Sequence, residues 1–284
     1  MDNRRTLLIA LFLLMTILAC ALPGGSAPTE PAPLSESAQL ETMVVETVTA
    51  AIAETQRAAP KPTSTPRPTL GPTQTPTATA HTGSTGSSLT AQADGTMLFV
   101  DDVAHFQLNV SPGWLPVRIN EQEYYDAFSL PVASDAAVQR ALMNIKTLDP
   151  NTFRLFVYDL QDGHMINGVI TSVNFVWDPQ GSITLDGEAG IKEAASKLSA
   201  SIPNLNVDSY SVSATTTNGI PIGIILSNIP GKTFQGTDVV LFQKQVYLNL
   251  PAGTLVVSFT TEQNFKDATL PFFDTMVETI KLNP

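Results

Sequence analysis

Six prolines at two- and four-residue steps, Pro60, Pro62, Pro66, Pro68, Pro72 and Pro76, set the strongest limit on what this chain can fold into. Each fixes its own φ, removes a backbone donor and pushes the residue before it out of the helical region. Thr fills the gaps between them, and Gly, Ser and Thr follow through Ser88. Neither a helix nor a sheet ladder is expected between Ala59 and Thr96. The proline half should run extended and semi-rigid at about 3.1 Å per residue, the Gly/Ser half as flexible coil. The core has to be built elsewhere.

The 188 residues from Met97 to Pro284 are the place for it. Their composition is that of an ordinary globular protein, and a domain of this size buries roughly 70% of its unfolded surface. Lys and Arg number ten there against nineteen Asp and Glu, a net charge of −9 within the −11 of the whole chain. An acidic domain repels phosphate backbones, which excludes nucleic acid as a partner, and it gains nothing by charge at an anionic membrane. The chain has one cysteine, Cys20. That excludes intramolecular disulfides, multi-thiolate metal sites and a cysteine nucleophile in the folded part.

Cys20 ends a stretch of a different kind. Arg4 and Arg5 give a basic start, and Thr6 to Leu18 is almost wholly apolar, the pattern of an export signal. Ile17-Leu18-Ala19-Cys20 resembles the bacterial lipobox, with Ala19 at the small position and Leu18 bulkier than usual. The resemblance implies cleavage before Cys20 and a diacylglyceryl group on it. Two acyl chains, at about 0.8 kcal/mol per buried CH₂, hold a protein on a membrane. Ala19-x-Ala21 also fits a signal-peptidase site, and Thr6 to Leu22 an uncleaved anchor at the lower edge for a span. The expected organisation is a signal peptide at 1–19, a disordered stalk at 20–96 and a globular head at 97–284. The expected location is the outer side of a bacterial cell membrane, with lipid on Cys20 as the contact. Within the stalk, Leu40, Met43, Val44, Val48, Ala51 and Ile52 recur at helical steps, so 35–58 can form a short helix. The tether reaches on the order of 100 Å, and its Ser/Thr/Pro content is similar to that of O-glycosylated stalks.

In the head, Phe106-x-Leu108-x-Val110 alternates as a strand and Ser111-Pro112-Gly113 turns it. Glu123 to Leu130 is a short helix ended by Pro131. Asp135 to Thr147 is a helix capped by Ser134, with Val138, Leu142 and Ile145 inward. Phe153 to Leu160 and Val169 to Trp177 are strands. Asp186 to Ser201 is a helix capped by Thr184 or Asp186, with Ile191, Ala194, Ala195 and Leu198 inward. Val207 to Thr216 and Ile220 to Ile229 form a hairpin around Asn218-Gly219. Val239 to Leu250 and Thr254 to Glu262 form a longer one around Pro251-Ala252-Gly253. In it Val240, Phe242, Val246, Leu248 and Leu250 share one face, and Gln243, Gln245, Tyr247 and Asn249 the other. The closing helix has Pro271 near its first turn and Phe272, Phe273, Met276 and Ile280 on one face. Strands joined by hairpins, with few helices between them, make an α+β fold: an antiparallel β-sheet flanked by α-helices.

The opening Phe106-x-Leu108-x-Val110-Ser111-Pro112-Gly113-Trp114 resembles the start of PsbP-like domains, a group that includes LpqN-type bacterial lipoproteins. The long second hairpin and the aromatic terminal helix are similar too. The resemblance implies an α/β/α sandwich and a non-enzymatic binding or assembly role. It carries no catalytic residue and no cofactor.

The chemistry-bearing residues agree with that. The head has two histidines, His105 and His164, and lacks the Gly-x-Ser-x-Gly, Ser-x-x-Lys, phosphate-loop and dinucleotide motifs. Asp101-Asp102-x-x-His105 and Asp159-x-x-Asp162-Gly163-His164 place cation ligands close together, though without calcium-loop or zinc spacing. Turn formation explains both. Glu121, Glu123, Tyr124 and Tyr125 bring carboxylates beside aromatics, as in a sugar site, but suit a solvated helix start better. Trp114 and Trp177 lie next to strand ends and read as core. Asn109-Val110-Ser111 matches a glycosylation sequon inside a strand. No catalytic, metal or cofactor site is expected. The functional expectation is a lipid-anchored, non-catalytic module that binds a protein or small ligand. The alternative is an accessory subunit stabilising a membrane-associated complex; the least favoured is an enzyme using His105 or His164.

Overall fold

The computed structural model describes His81–Thr82 and residues 85–213, 218–233 and 236–283. The export signal, Cys20, the proline run and the 35–58 helix lie outside the described residues.

The fold is α+β, with antiparallel sheets and a few helices. Strands β1 (His81–Thr82), β2 (Ser87–Ala91), β3 (Met97–Asp101), β4 (Phe106–Val110) and β12 (Lys281–Leu282) form a five-stranded sheet in the order β1-β2-β3-β4-β12. It begins ahead of Met97: β2, in the stretch expected to be coil, pairs with β3 from Ser87↔Asp101 to Ala91↔Met97. Its inward side chains are small or apolar enough to pack, with Ser87 and Leu89 buried.

The second sheet has seven strands in the order β5-β6-β7-β11-β10-β9-β8. These are β5 (Trp114–Val117), β6 (Phe153–Asp159), β7 (Ser172–Asp178), β8 (Asn206–Ser213), β9 (Ile222–Lys232), β10 (Asp238–Leu250) and β11 (Gly253–Glu262). Its helices are α1 (Gln122–Ala127), α2 (Ala136–Ile145), α3 (Glu188–Ser201) and α4 (Lys266–Glu278). The inner face of this sheet packs on the five-stranded sheet and α4. Phe99, Phe106 and Leu108 meet Phe175, Val257 and Phe259 there, with Phe273 and Met276 of α4. The outer face is covered at one end by α1 and α2, through Val138, Leu142 and Ile145 on Phe156 and Val176. At the other end α3 packs Ile191, Ala195 and Leu198 on Ile225 and Leu241. Burial on both faces explains why every residue of β6, Phe153–Asp159, is buried.

Several local expectations shift. Asp135, not Ser134, caps α2, accepting from Ala137 N at 2.7 Å; Ser134 Oγ donates to the Pro131 carbonyl instead. Gly187 is the N-cap of α3, with neither Thr184 nor Asp186 in that role. Pro271 lies inside α4, on the exposed side, so the donor it lacks is lost where water serves the carbonyl. Among the described residues the pairing of β8 with β9 runs from Asn206↔Asn228 to Ser213↔Ile222. Asn218 works elsewhere: its Nδ2 donates to the Glu278 and Ile280 carbonyls at 2.9 and 2.8 Å, closing the end of α4. The second hairpin forms, with Gly253 not in the turn but the first residue of β11, opposite Leu250, so that Pro251-Ala252 make the turn. Gly253 has φ +123°, and a Cβ there would lie 2.1 Å from the Asp178 carbonyl oxygen. On β10, Val240 falls outside the shared apolar face, being exposed at the strand's start.

Candidate functional site

A cleft of about 610 Å³ opens at the β5 edge of the seven-stranded sheet. Gly113, Trp114 and Leu115 form one wall, Leu130, Pro131 and Val132 the other, with Leu160 and Asp162 at its end. The local sequence explains the shape. Gly113 takes φ +84°, bringing Trp114 N to 3.3 Å from the Ser111 carbonyl it donates to, and the turn starts β5 at the tryptophan. A Cβ on Gly113 would approach the Gln161 side chain to 3.0 Å. Across the cleft, Pro131 begins a 3₁₀ turn over Pro131–Ser134 that holds Leu130 and Val132 at the surface.

The lining is apolar with one carboxylate, Asp162. Trp114 is buried, its Nε1 has no hydrogen-bond partner, and its ring lies 6.4 Å from that of the exposed Phe272. Tyr125, Phe128 and Leu130 at the end of α1 are also exposed. An open, largely apolar groove suits apolar or aromatic ligands, or an apolar segment of a partner.

Next to Leu160, Asp159 stands opposite Trp114 in the β5–β6 register. Its Oδ2 is 2.7 Å from His164 Nδ1, and its Oδ1 accepts from Gln161 N and Nε2. The His164 ring meets Phe265 edge-on at 5.2 Å. A carboxylate so placed orients the imidazole with its proton on Nδ1. A hydrolytic arrangement would add a nucleophile at Nε2; among the described residues no hydroxyl is hydrogen-bonded to His164.

The other sequence candidates are separated by their partners. Asp101 is drawn into an ion pair with Arg154 and accepts from Val103 N and Ala104 N. Asp102 accepts from Asn283 Nδ2, and the His105 carbonyl from Asn283 N. Glu123 is paired with the buried Arg118, Tyr124 is buried and Tyr125 exposed, so the carboxylates and aromatics of this stretch do not form one site. Burial pushes the Tyr124 phenol above its ordinary range. Trp177 Nε1 donates to the Ala252 carbonyl at 3.1 Å, which makes it core. Asn109 lies in β4, its backbone N–H bonded to Thr279 Oγ1. Among the described residues no three His, Cys, Asp or Glu side chains are placed to hold a metal ion.

What sequence reasoning missed is the pair of buried arginines. Arg118 donates to the Ser87 carbonyl at 2.6 Å and to both Glu123 oxygens. Arg154 donates to the Thr85 and Pro150 carbonyls at 2.9 and 3.0 Å. The signal was Arg118 between Val117 and Ile119, and Arg154 between Phe153 and Leu155: charges inside apolar runs.

No family model matches the chain, and no curated protein sequence matches it. Among solved structures, the chain is similar to cyanobacterial PsbP (CyanoP) of Synechocystis sp. PCC 6803, at 9% identity and a TM-score of 0.43, over 67% of this chain and 94% of that one. It is also similar to LpqN, involved in cell envelope biogenesis of Mycobacterium tuberculosis, at 9% identity and a TM-score of 0.35, over 63% of this chain and 83% of that one. At these scores neither likeness bears on function. Among the described residues no helix is long and apolar enough to cross a membrane.

Proposed function

We propose that this chain is a lipid-anchored extracytoplasmic protein whose α+β head is a non-catalytic binding module. The observation that carries the binding reading is the open cleft between Trp114-Leu115 and Leu130-Pro131-Val132, with Phe272 beside it. Its lining is largely apolar, Trp114 borders it with the exposed Phe272 beside that ring, and it presents a single carboxylate for orientation. The ligand class is an apolar or aromatic small molecule, or an apolar partner segment. The lipobox-like Ile17-Leu18-Ala19-Cys20 and the proline run support the anchoring half: a tether is useful when its near end is held.

Two experiments test the two halves separately. An environment-sensitive apolar fluorophore should brighten on the full-length protein and lose that response with Leu130→Asp, which changes an exposed position and spares the core. Unchanged fluorescence with Leu130→Asp sinks the cleft as the site. Cys20→Ser should move the protein from the membrane to the soluble fraction; an unchanged distribution overturns the lipid anchor.

A further inference from the structure

The stretches that build the cleft carry charge of one sign. Its walls come from Gly113 to Leu115, from Leu130 to Val132, and from Leu160 with Asp162. The second wall lies within residues 119–139, which hold Glu121, Glu123, Asp126 and Asp135 and neither lysine nor arginine. The third lies within residues 155–177, which hold Asp159 and Asp162 and again neither. Several of these carboxylates are engaged inside the fold. Glu123 pairs with Arg118, Asp135 caps α2, and Asp159 accepts from Gln161 N and faces His164 Nδ1.

Asp162 differs from them. It is exposed, it lines the cleft, and among the described residues its carboxylate has no ion-pair partner. The basic side chain in its own segment, His164, is turned to Asp159. A cleft with an apolar lining therefore presents an uncompensated negative charge at one end, and no lining residue is cationic.

The backbone along the first wall narrows the choice of ligand. β5 is the edge strand, and proline in an edge strand sits where its N–H would point away from the ladder. Positions 114 and 116 thus face outward. Pro116 has no N–H, and Trp114 N already donates to the Ser111 carbonyl. A peptide adding here as a further strand finds no donor at either position. The volume, about 610 Å³, is that of a small-molecule site.

We propose that the ligand of this cleft is a small organic cation, an apolar body carrying one ammonium or guanidinium head. The proposal rests on the cleft being the binding site and adds the class of ligand. The body packs against Leu115, Leu130 and Val132, and the head pairs with Asp162. The surrounding carboxylates disfavour an anion of the same shape.

The test is displacement of the apolar fluorophore from the full-length protein by compounds that share one apolar body: 4-phenylbutylamine, 4-phenylbutanol and 4-phenylbutyrate. The amine should act at a concentration about threefold or more below that of the alcohol, and the carboxylate should be weakest. Asp162→Asn should bring the amine level with the alcohol and leave the alcohol unchanged. With the unaltered protein, salt at about 0.5 M should narrow the lead of the amine, a readout independent of how the variant folds. Equal displacement by amine and alcohol, in a protein whose fluorophore response is lost with Leu130→Asp, overturns the cation and leaves the cleft standing. An absent response, or one that survives Leu130→Asp, overturns both. A preference for the amine that survives Asp162→Asn overturns the role of Asp162.

Discussion

Arg154 of β6 and Asp101 of β3 join the two sheets through a two-point ion pair, Nε to Oδ2 at 2.6 Å and Nη2 to Oδ1 at 3.0 Å. Both side chains are buried. The pair exists because β6 slips register between Phe153 and Leu155, opposite Val176 and Phe175. Arg154 is the extra residue of this bulge and turns inward, over the Trp177 ring at 5.8 Å. Truncating one partner strands the other charge. Arg154→Met should lower unfolding free energy by about 3–5 kcal/mol in urea titration. Arg154→Met with Asp101→Asn should recover part of the loss; a single-variant loss below about 1 kcal/mol would mark the pair as solvated.

Asn218 sets a smaller, local effect. Asn218→Ala removes two donors from the carbonyls of Glu278 and Ile280, at a cost of about 1–2 kcal/mol. Amide exchange should speed up in the last turn of α4 and across β12 and remain unchanged in α2. Uniform acceleration across the domain would contradict the local role.

Gly253 permits the tightest approach in the long hairpin. Gly253→Ala adds backbone strain of about 1–3 kcal/mol at φ +123° and a collision with the Asp178 carbonyl, 2.1 Å from the new Cβ. The expected result is a domain that unfolds at markedly lower denaturant, read by circular dichroism. Wild-type behaviour would show that the β7 end moves aside freely.

Tyr247 and Tyr124 give the fold an alkaline limit. Burial raises both phenols in the native state, so the native state keeps protons that the unfolded chain releases above about pH 10. Their contribution is complete below that pH and is lost as pH rises toward the native values. Tyr247→Phe should flatten the fall in stability above pH 10, on top of a pH-independent loss of about 1–3 kcal/mol from the Gln245 Oε1 it leaves unpaired. An ultraviolet titration in which every tyrosine of the folded protein ionised together near pH 10 would refute it.

Element identity was readable where residue type and period agreed. Val138, Leu142 and Ile145 mark α2, and Ile191, Ala195 and Leu198 mark α3, because a three- and four-residue step fits one helical face. The second hairpin was readable from its alternation and its turn residues, although Gly253 opens β11 and does not belong to the turn. The sheet's surroundings were not. Gln243 and Gln245 alternate with Phe242 and Val246 and look solvated, since alternation reports that two faces differ and is silent on what lies above each. The inward turn of Arg154 depends on a one-residue slip that leaves no mark in a period of two. The metal-like grouping of Asp101, Asp102 and His105 dissolved for a related reason: its strongest ligand answers to an arginine fifty-three positions away. Of the apolar cleft, Trp114 was noticed, but its opposite wall at Leu130-Pro131-Val132 comes together only through the 3₁₀ turn.

Arg154 and Arg118 reach the carbonyls of Thr85 and Ser87, at the point where the described domain takes up the chain from its N-terminal side. A pull on β2 meets these two guanidinium contacts along with the core. Load runs along β2 in shear against the ladder of β3, and through two guanidinium groups anchored to Asp101 and Glu123. Detaching β2 therefore means breaking these charge-assisted bonds as well as its ladder with β3. The entry of the chain into the five-stranded sheet is thus held by two buried guanidinium groups as well as by the β2–β3 ladder.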